Sequence, residues 1–196
     1  MGPRAYIAIP CILVTLATGC TPAPAARFYA LRALPTTVGT WPDLSVAVGP
    51  VSVPAVVDRP QIVVSVGPNQ LHLDEFNRWA APLQDDIQRV VAENLVGTLG
   101  TPRVTLFAHT SSATTDYRVT IEVYRFESTP GEAATLDAVW TVSRVTDAKS
   151  QTGRTTIREP TPQRGYGALA AAHSRALARL SRDISDALRV LARSEQ

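Results

Sequence analysis

Asp116-Tyr117-Arg118-Val119-Thr120-Ile121-Glu122-Val123-Tyr124-Arg125-Phe126-Glu127 is the stretch on which the fold turns. Tyr117, Val119, Ile121 and Val123 recur at every second position, the period of a strand with one buried face. Ser128-Thr129-Pro130-Gly131 supplies a turn, and Leu136, Ala138, Trp140 and Val142 repeat the alternation on a second strand. Asp147 lies in the next turn, and Gln151 to Arg158 reads as a third, more polar strand exposed on one face. Such short connections predict an antiparallel meander. The period then changes. Leu169, Leu177, Leu180, Ile184, Leu188 and Leu191 mark the apolar stripe of a long C-terminal helix. Its opposite face carries Arg175, Arg179, Arg182, Asp183, Asp186 and Arg189. Arg179 with Asp183, and Arg182 with Asp186, are opposite charges at i,i+4, so this face reads as solvated.

Upstream, Leu83, Ile87, Val90, Val91, Leu95 and Leu99 give a second amphipathic helix, opened by Pro82 and closed near Gly100. Before it, Phe28 to Leu31, Val46 to Val53, Gln61 to Val66 and Gln70 to Leu73 read as strands. Gly67-Pro68-Asn69 is the turn of a hairpin, and Leu34 to Pro42 a loop. Gly49-Pro50 interrupts its strand and predicts a bulge or an edge there. The expectation is an α+β domain: a mixed, largely antiparallel sheet with both helices on one face. Residues 27–196 form this single domain, with no break long or polar enough to divide it.

The composition narrows function. The chain has 196 residues, 45% apolar and 18% charged, which suits one domain with a sizeable core. Nineteen basic against 17 acidic residues leave +2, too little for a broad nucleic-acid footprint. Two cysteines and three histidines leave little material for a metal site or a disulfide framework. No G-x-S-x-G, Walker, H-E-x-x-H or C-x-x-C motif occurs. His72, His109 and His173 each read as structural or surface imidazoles, and Asp85-Asp86 as a solvated acidic first turn. No catalytic residue, no metal and no cofactor are expected.

The N-terminus carries a different message. Arg4 precedes an apolar run from Ala5 to Ala17, which as a helix rises only about 20 Å, too short to span a hydrocarbon core. The layout is that of a secretory signal over residues 1–19. Leu16-Ala17-Thr18-Gly19-Cys20 resembles the lipobox of bacterial lipoproteins. There the thiol takes a diacylglyceryl group, the chain is cut before the cysteine, and an N-acyl chain follows. An ordinary cleaved signal, or a buried helix with an incidental cysteine, are the alternatives. Residues 20–26, with Pro22 and Pro24, form a Pro/Ala tether.

Two further segments stand out. Val53 to Val63 sets Asp58-Arg59 between prolines in an apolar stretch. Phe76-Asn77-Arg78-Trp79-Ala80-Ala81-Pro82-Leu83 places two aromatics and an arginine directly before a helix. One reading is a rigid loop that docks Trp79 into the core. The other is a subunit or partner interface, with Asp58, Arg59, Trp79 and Pro82 as its residues.

These blocks, with Val48 to Pro54, Arg89 to Leu95, Asp116 to Val119 and Leu136 to Trp140, resemble the ABC-type transport auxiliary lipoproteins, the PqiC-like family of Gram-negative bacteria. The likeness runs over nearly all of the chain after Cys20. Ala81 stands where the family often has an acid. The resemblance implies a lipoprotein anchored in the outer membrane and facing the periplasm, the non-catalytic accessory of a transport system. Its partners would be an MCE-domain periplasmic protein and the inner-membrane permease or ABC components. Such systems move lipids or other hydrophobic molecules between membranes and support envelope integrity. Homo-oligomerisation is left open. The competing readings are a structural or cell-wall-associated lipoprotein and a lipid-tethered periplasmic hydrolase.

Overall fold

The computed structural model describes Gly2 and residues 24–34, 41, 43–107 and 115–193. The signal segment, Cys20, the first part of the tether, His109 and most of the Leu34–Pro42 loop lie outside the described residues.

The elements run β1 (Arg27–Tyr29), β2 (Val46–Ser52), β3 (Gln61–Gly67), β4 (Gln70–Trp79), α1 (Leu83–Leu99), β5 (Val104–Leu106), β6 (Tyr117–Thr129), β7 (Ala133–Arg144), β8 (Ser150–Pro160) and α2 (Tyr166–Arg193). The class is α+β, as the two hydrophobic periods require. The strands divide between two sheets where the sequence suggests one. A five-stranded sheet has the order β5-β2-β6-β7-β8, and a three-stranded sheet the order β1-β4-β3. β6, β7 and β8 form the expected antiparallel meander, while β2 pairs in parallel with both β5 and β6. In the small sheet β1 runs parallel to β4, and β3 and β4 form the hairpin.

α1 packs over β2 and β5, α2 over β7 and β8, and the helices lie against each other. All six stripe residues expected on α1 are buried. Gly100 ends the helix in the left-handed region at φ 70°, and its N–H donates to the Val96 carbonyl at 3.0 Å. In that conformation a Cβ crowds the adjacent backbone carbonyl, a cost that glycine avoids. On α2, Ala172, Ala176, Ser181 and Ser185 are buried between the larger stripe residues. Asn94 Nδ2 of α1 donates to Ser181 Oγ at 3.3 Å, one hydrogen bond between the helices inside the core.

Three local expectations change. The alternation of β6 shifts after Val123, because a register break between Val123 and Arg125 inserts one unpaired residue. Phe126 and Ser128 therefore face the core instead of Arg125 and Glu127. Asp85 is exposed, but Asp86 is buried: its carboxylate accepts from the Leu31 N–H at 2.8 Å and pairs with Arg89 at 2.5 Å. The i,i+4 charge pairs of α2 do not form among the described residues. Arg179 instead reaches Glu159 of β8 at 3.0 Å, Asp183 accepts from Thr155 Oγ1 at 2.5 Å, and Asp186 pairs with Arg189 at 2.8 Å. A neighbouring strand offers the better-placed partner, and the helix face is tied to the sheet.

Candidate functional site: a cleft at the β4–α1 junction

The β2–β3 connection is folded on itself at its prolines. Val57 N–H and Asp58 N–H both donate to the Pro54 carbonyl, at 3.0 and 3.2 Å, and Arg59 N–H donates to Val57 O at 2.8 Å. These bonds turn Asp58 and Arg59 outward, and both are exposed. The β4–α1 segment is held beside this turn by the backbone. Trp79 N–H donates to Pro60 O at 2.7 Å and Ala80 N–H to Tyr29 O at 2.8 Å. Pro82 then starts α1, and its carbonyl accepts the Asp86 N–H at 3.0 Å.

Between the two segments lies a cleft of about 420 Å³. Asp58, Arg59, Trp79 and Pro82 all line it, so the structure brings together the four residues that the sequence singled out. The rest of its lining, Pro60, Ala80, Ala81 and Leu83, is apolar. The expectation that Trp79 docks into the core is also met. The ring is only 5% exposed, and it meets Phe126 and His173 edge-on with centroids 6.1 and 6.4 Å away. Trp79 is a wall of the cleft, not a protruding anchor. The charges stand at the mouth. Asp58 Oδ2 accepts from Gln84 Nε2 at 3.2 Å, whereas the Arg59 guanidinium has no polar partner among the described residues. The cleft thus sets apolar side chains beside one hydrogen-bonded acid and one arginine without a polar partner among the described residues.

Two polar features escaped the sequence. Gln84, which positions Asp58, carries no pattern of its own. The second is a buried contact: Ser128 Oγ lies 2.9 Å from His173 Nε2. His173 is fully buried, and Phe126 stacks on its ring at 3.7 Å. Desolvation pushes the imidazole down to about 3, so it is neutral at pH 7. A serine–histidine contact is the first half of a nucleophile–base arrangement. Among the described residues its other half, an acid orienting the ring, is missing, and His173 Nδ1 is buried there with no hydrogen-bond partner. His72 is exposed on β4. No group of three or more potential metal-ligating His, Cys, Asp or Glu side chains occurs among the described residues, and no described helix is long and apolar enough to cross a membrane.

Solved structures share this architecture. Protein XCC0632 from Xanthomonas campestris is similar at a TM-score of 0.72 and 23% identity, over 87% of this chain and all of that one. A crystal structure of an uncharacterized protein is similar at a TM-score of 0.66 and 17% identity, over 83% of this chain and 97% of that one. At such identities the likeness is one of fold. No curated protein matches the chain. The family model described as the ABC-type transport auxiliary lipoprotein component matches residues 29–185, from β1 through most of α2. The match takes in both walls of the cleft, and by it the chain belongs to the ABC-type transport auxiliary lipoprotein family.

Proposed function

We propose that this chain is the non-catalytic docking component of an intermembrane transport system for lipids or other hydrophobic molecules. Cys20 carries the diacylglyceryl and N-acyl chains that hold it to the periplasmic face of the outer membrane. Two or more acyl chains make such attachment stable, at about 0.8 kcal/mol for each buried CH₂. The cleft at the β4–α1 junction receives a segment of the MCE-domain partner, and the tether raises the concentration of each near the other.

The observation that carries the docking reading is the convergence of Asp58, Arg59, Trp79 and Pro82 on one cleft from two separate stretches of chain. Family membership supports the transport role, and the lipobox-like sequence supports the anchor. The test combines Asp58→Ala with Arg59→Ala, which leave Trp79 in place. Co-purification of the MCE-domain protein should fall at least tenfold, and detergent resistance of the cells should fall with it. Unchanged co-purification and unchanged resistance reject the docking site. Mass spectrometry of the native N-terminal peptide tests the anchor separately, and an unmodified Cys20 rejects it.

A further inference from the structure

A second groove lies on the other side of the Trp79–Phe126 contact. The hairpin pairs Ser65 with Leu71 and Val63 with Leu73, so these four side chains share one face. That face looks onto the shifted half of β6, where the extra residue has brought Phe126 and Ser128 inward. Between them is a groove of about 300 Å³, walled by Val57, Val63 and Phe126, which are buried. At its mouth Leu71 and Val56 are 47% and 43% exposed. Leu73, on the same face of the hairpin, is also exposed.

Charge and size restrict what the groove can hold. Its one ionic side chain is Glu127, already paired with Arg125 at 2.6 Å. Among the described residues the lining therefore carries no uncompensated charge, and its buried walls of Val57, Val63 and Phe126 suit an uncharged aliphatic chain. An α-helix about 10 Å across is too wide for this volume, which lies at the lower end for small-molecule sites. Besides Glu127, the polar side chains of the lining are Ser65, whose Oγ donates to the Gly67 carbonyl at 3.5 Å, Asn69 and Gln70 at the hairpin turn, and Ser128. If His173 Nε2 donates to Ser128 Oγ, the serine O–H is left to point into the groove.

We propose that the groove between the β3–β4 hairpin and the distal half of β6 binds the acyl chain of a free amphiphile, whose hydrogen-bonding head rests near Asn69, Gln70 and Ser128. The occupant is a separate molecule, because the anchor reading of Cys20 leaves this chain's own acyl groups in the bilayer. The groove is distinct from the docking cleft, and its occupancy needs no protein partner.

The test uses the full chain in intact cells, with a photoactivatable p-benzoylphenylalanine at Leu71 and, as control, at Val190, which is 58% exposed on α2. After irradiation, mass spectrometry of the purified protein should show a lipid adduct at position 71, with at least tenfold lower yield at position 190. Ser65→Trp, which fills the groove beside Leu71, should reduce the adduct at least tenfold. A second arm, with the crosslinker at Val56 and Leu71→Glu, acts at exposed sites and serves should Ser65→Trp not fold. The adduct should persist in Cys20→Ala. A polypeptide adduct at position 71, whether a second copy or another protein, overturns the proposal. So does loss of the adduct in Cys20→Ala, equal yield at positions 71 and 190, or no adduct at all. None of these outcomes bears on the Asp58 and Arg59 co-purification test, so the two readings fail separately.

Discussion

The Leu31 backbone N–H lies 2.8 Å from Asp86 Oδ2, and the two residues are 55 positions apart. Arg89 completes the clamp, pairing with Asp86 and donating from Nη2 to the Leu31 carbonyl at 2.9 Å. Both backbone groups of Leu31 are thus satisfied by α1, although Leu31 belongs to no strand.

Asp86→Ala removes a buried acceptor and leaves the Leu31 N–H without its partner. Buried hydrogen bonds to charged groups contribute about 1.5–3 kcal/mol, and the 40% exposure of Arg89 places this one near the lower end. Chemical denaturation should show a loss of about 2 kcal/mol. Asp85→Ala, at an exposed neighbour, should change stability by less than about 0.5 kcal/mol.

Gly153 on β8 lies directly under the Trp140 ring, so a Cβ there would sit well inside contact distance of the indole. Gly153→Ala must therefore displace Trp140, whose Nε1–H donates to Thr155 Oγ1 at 3.0 Å. Overpacking of this kind costs about 1–3 kcal/mol. The expected result is a lower melting temperature together with altered tryptophan fluorescence.

His173 makes stability depend on pH. Unfolded, the imidazole takes up its proton near pH 6.5, whereas folding pushes it down to about 3. The unfolded state thus binds more protons between these values. Stability is complete above pH 6.5 and is lost as pH falls toward 3, at up to about 1.4 kcal/mol per pH unit. Asp137 acts lower. Its hydrogen bond from Arg154 holds the carboxyl at about 2, so its contribution is lost only below about pH 4. Denaturation midpoints measured from pH 6.5 to 4.5 should fall in the parent protein and stay nearly flat in His173→Gln. Equal slopes would refute the assignment.

The residues of the β4–α1 cleft should separate by their effect on folding. Trp79 packs against Phe126 and His173, so Trp79→Ala should cost about 3–5 kcal/mol. Asp58→Ala and Arg59→Ala are exposed and should each cost less than about 0.5 kcal/mol. Equilibrium denaturation of the three single variants checks this ordering, and it makes the two charged positions the informative ones for partner binding.

Where local patterning and tertiary contact agree, the sequence was legible. The period-2 runs of β6 and β7 and the two helical stripes face inward as the alternation and the 3.6-residue repeat require. The cleft was legible for another reason: prolines, an aromatic and paired charges are concentrated in two short segments that prolines hold rigid. The second half of β4 was not. Asp74 Oδ1 accepts from the Phe76 and Asn77 N–H groups at 2.8 and 2.9 Å, which bulges the strand and breaks its alternation. Nor could local pattern reveal the groove beside the β3–β4 hairpin. It joins Leu71 to Phe126 through a register break in one strand and a hairpin from another sheet. Long-range choices of partner, such as Arg179 for Glu159 over Asp183, are likewise settled only when the elements meet.

β1 is three residues long and pairs, among the described residues, with β4 alone, yet it is the first described strand of the chain. A pull on the N-terminus enters the domain through these residues, runs in shear along the parallel pairing to Trp79, and passes from the Tyr29 carbonyl to Ala80. The load path therefore reaches Trp79 and Ala80, two residues that line the β4–α1 cleft, so tension and the shape of that cleft are borne by the same few peptide units.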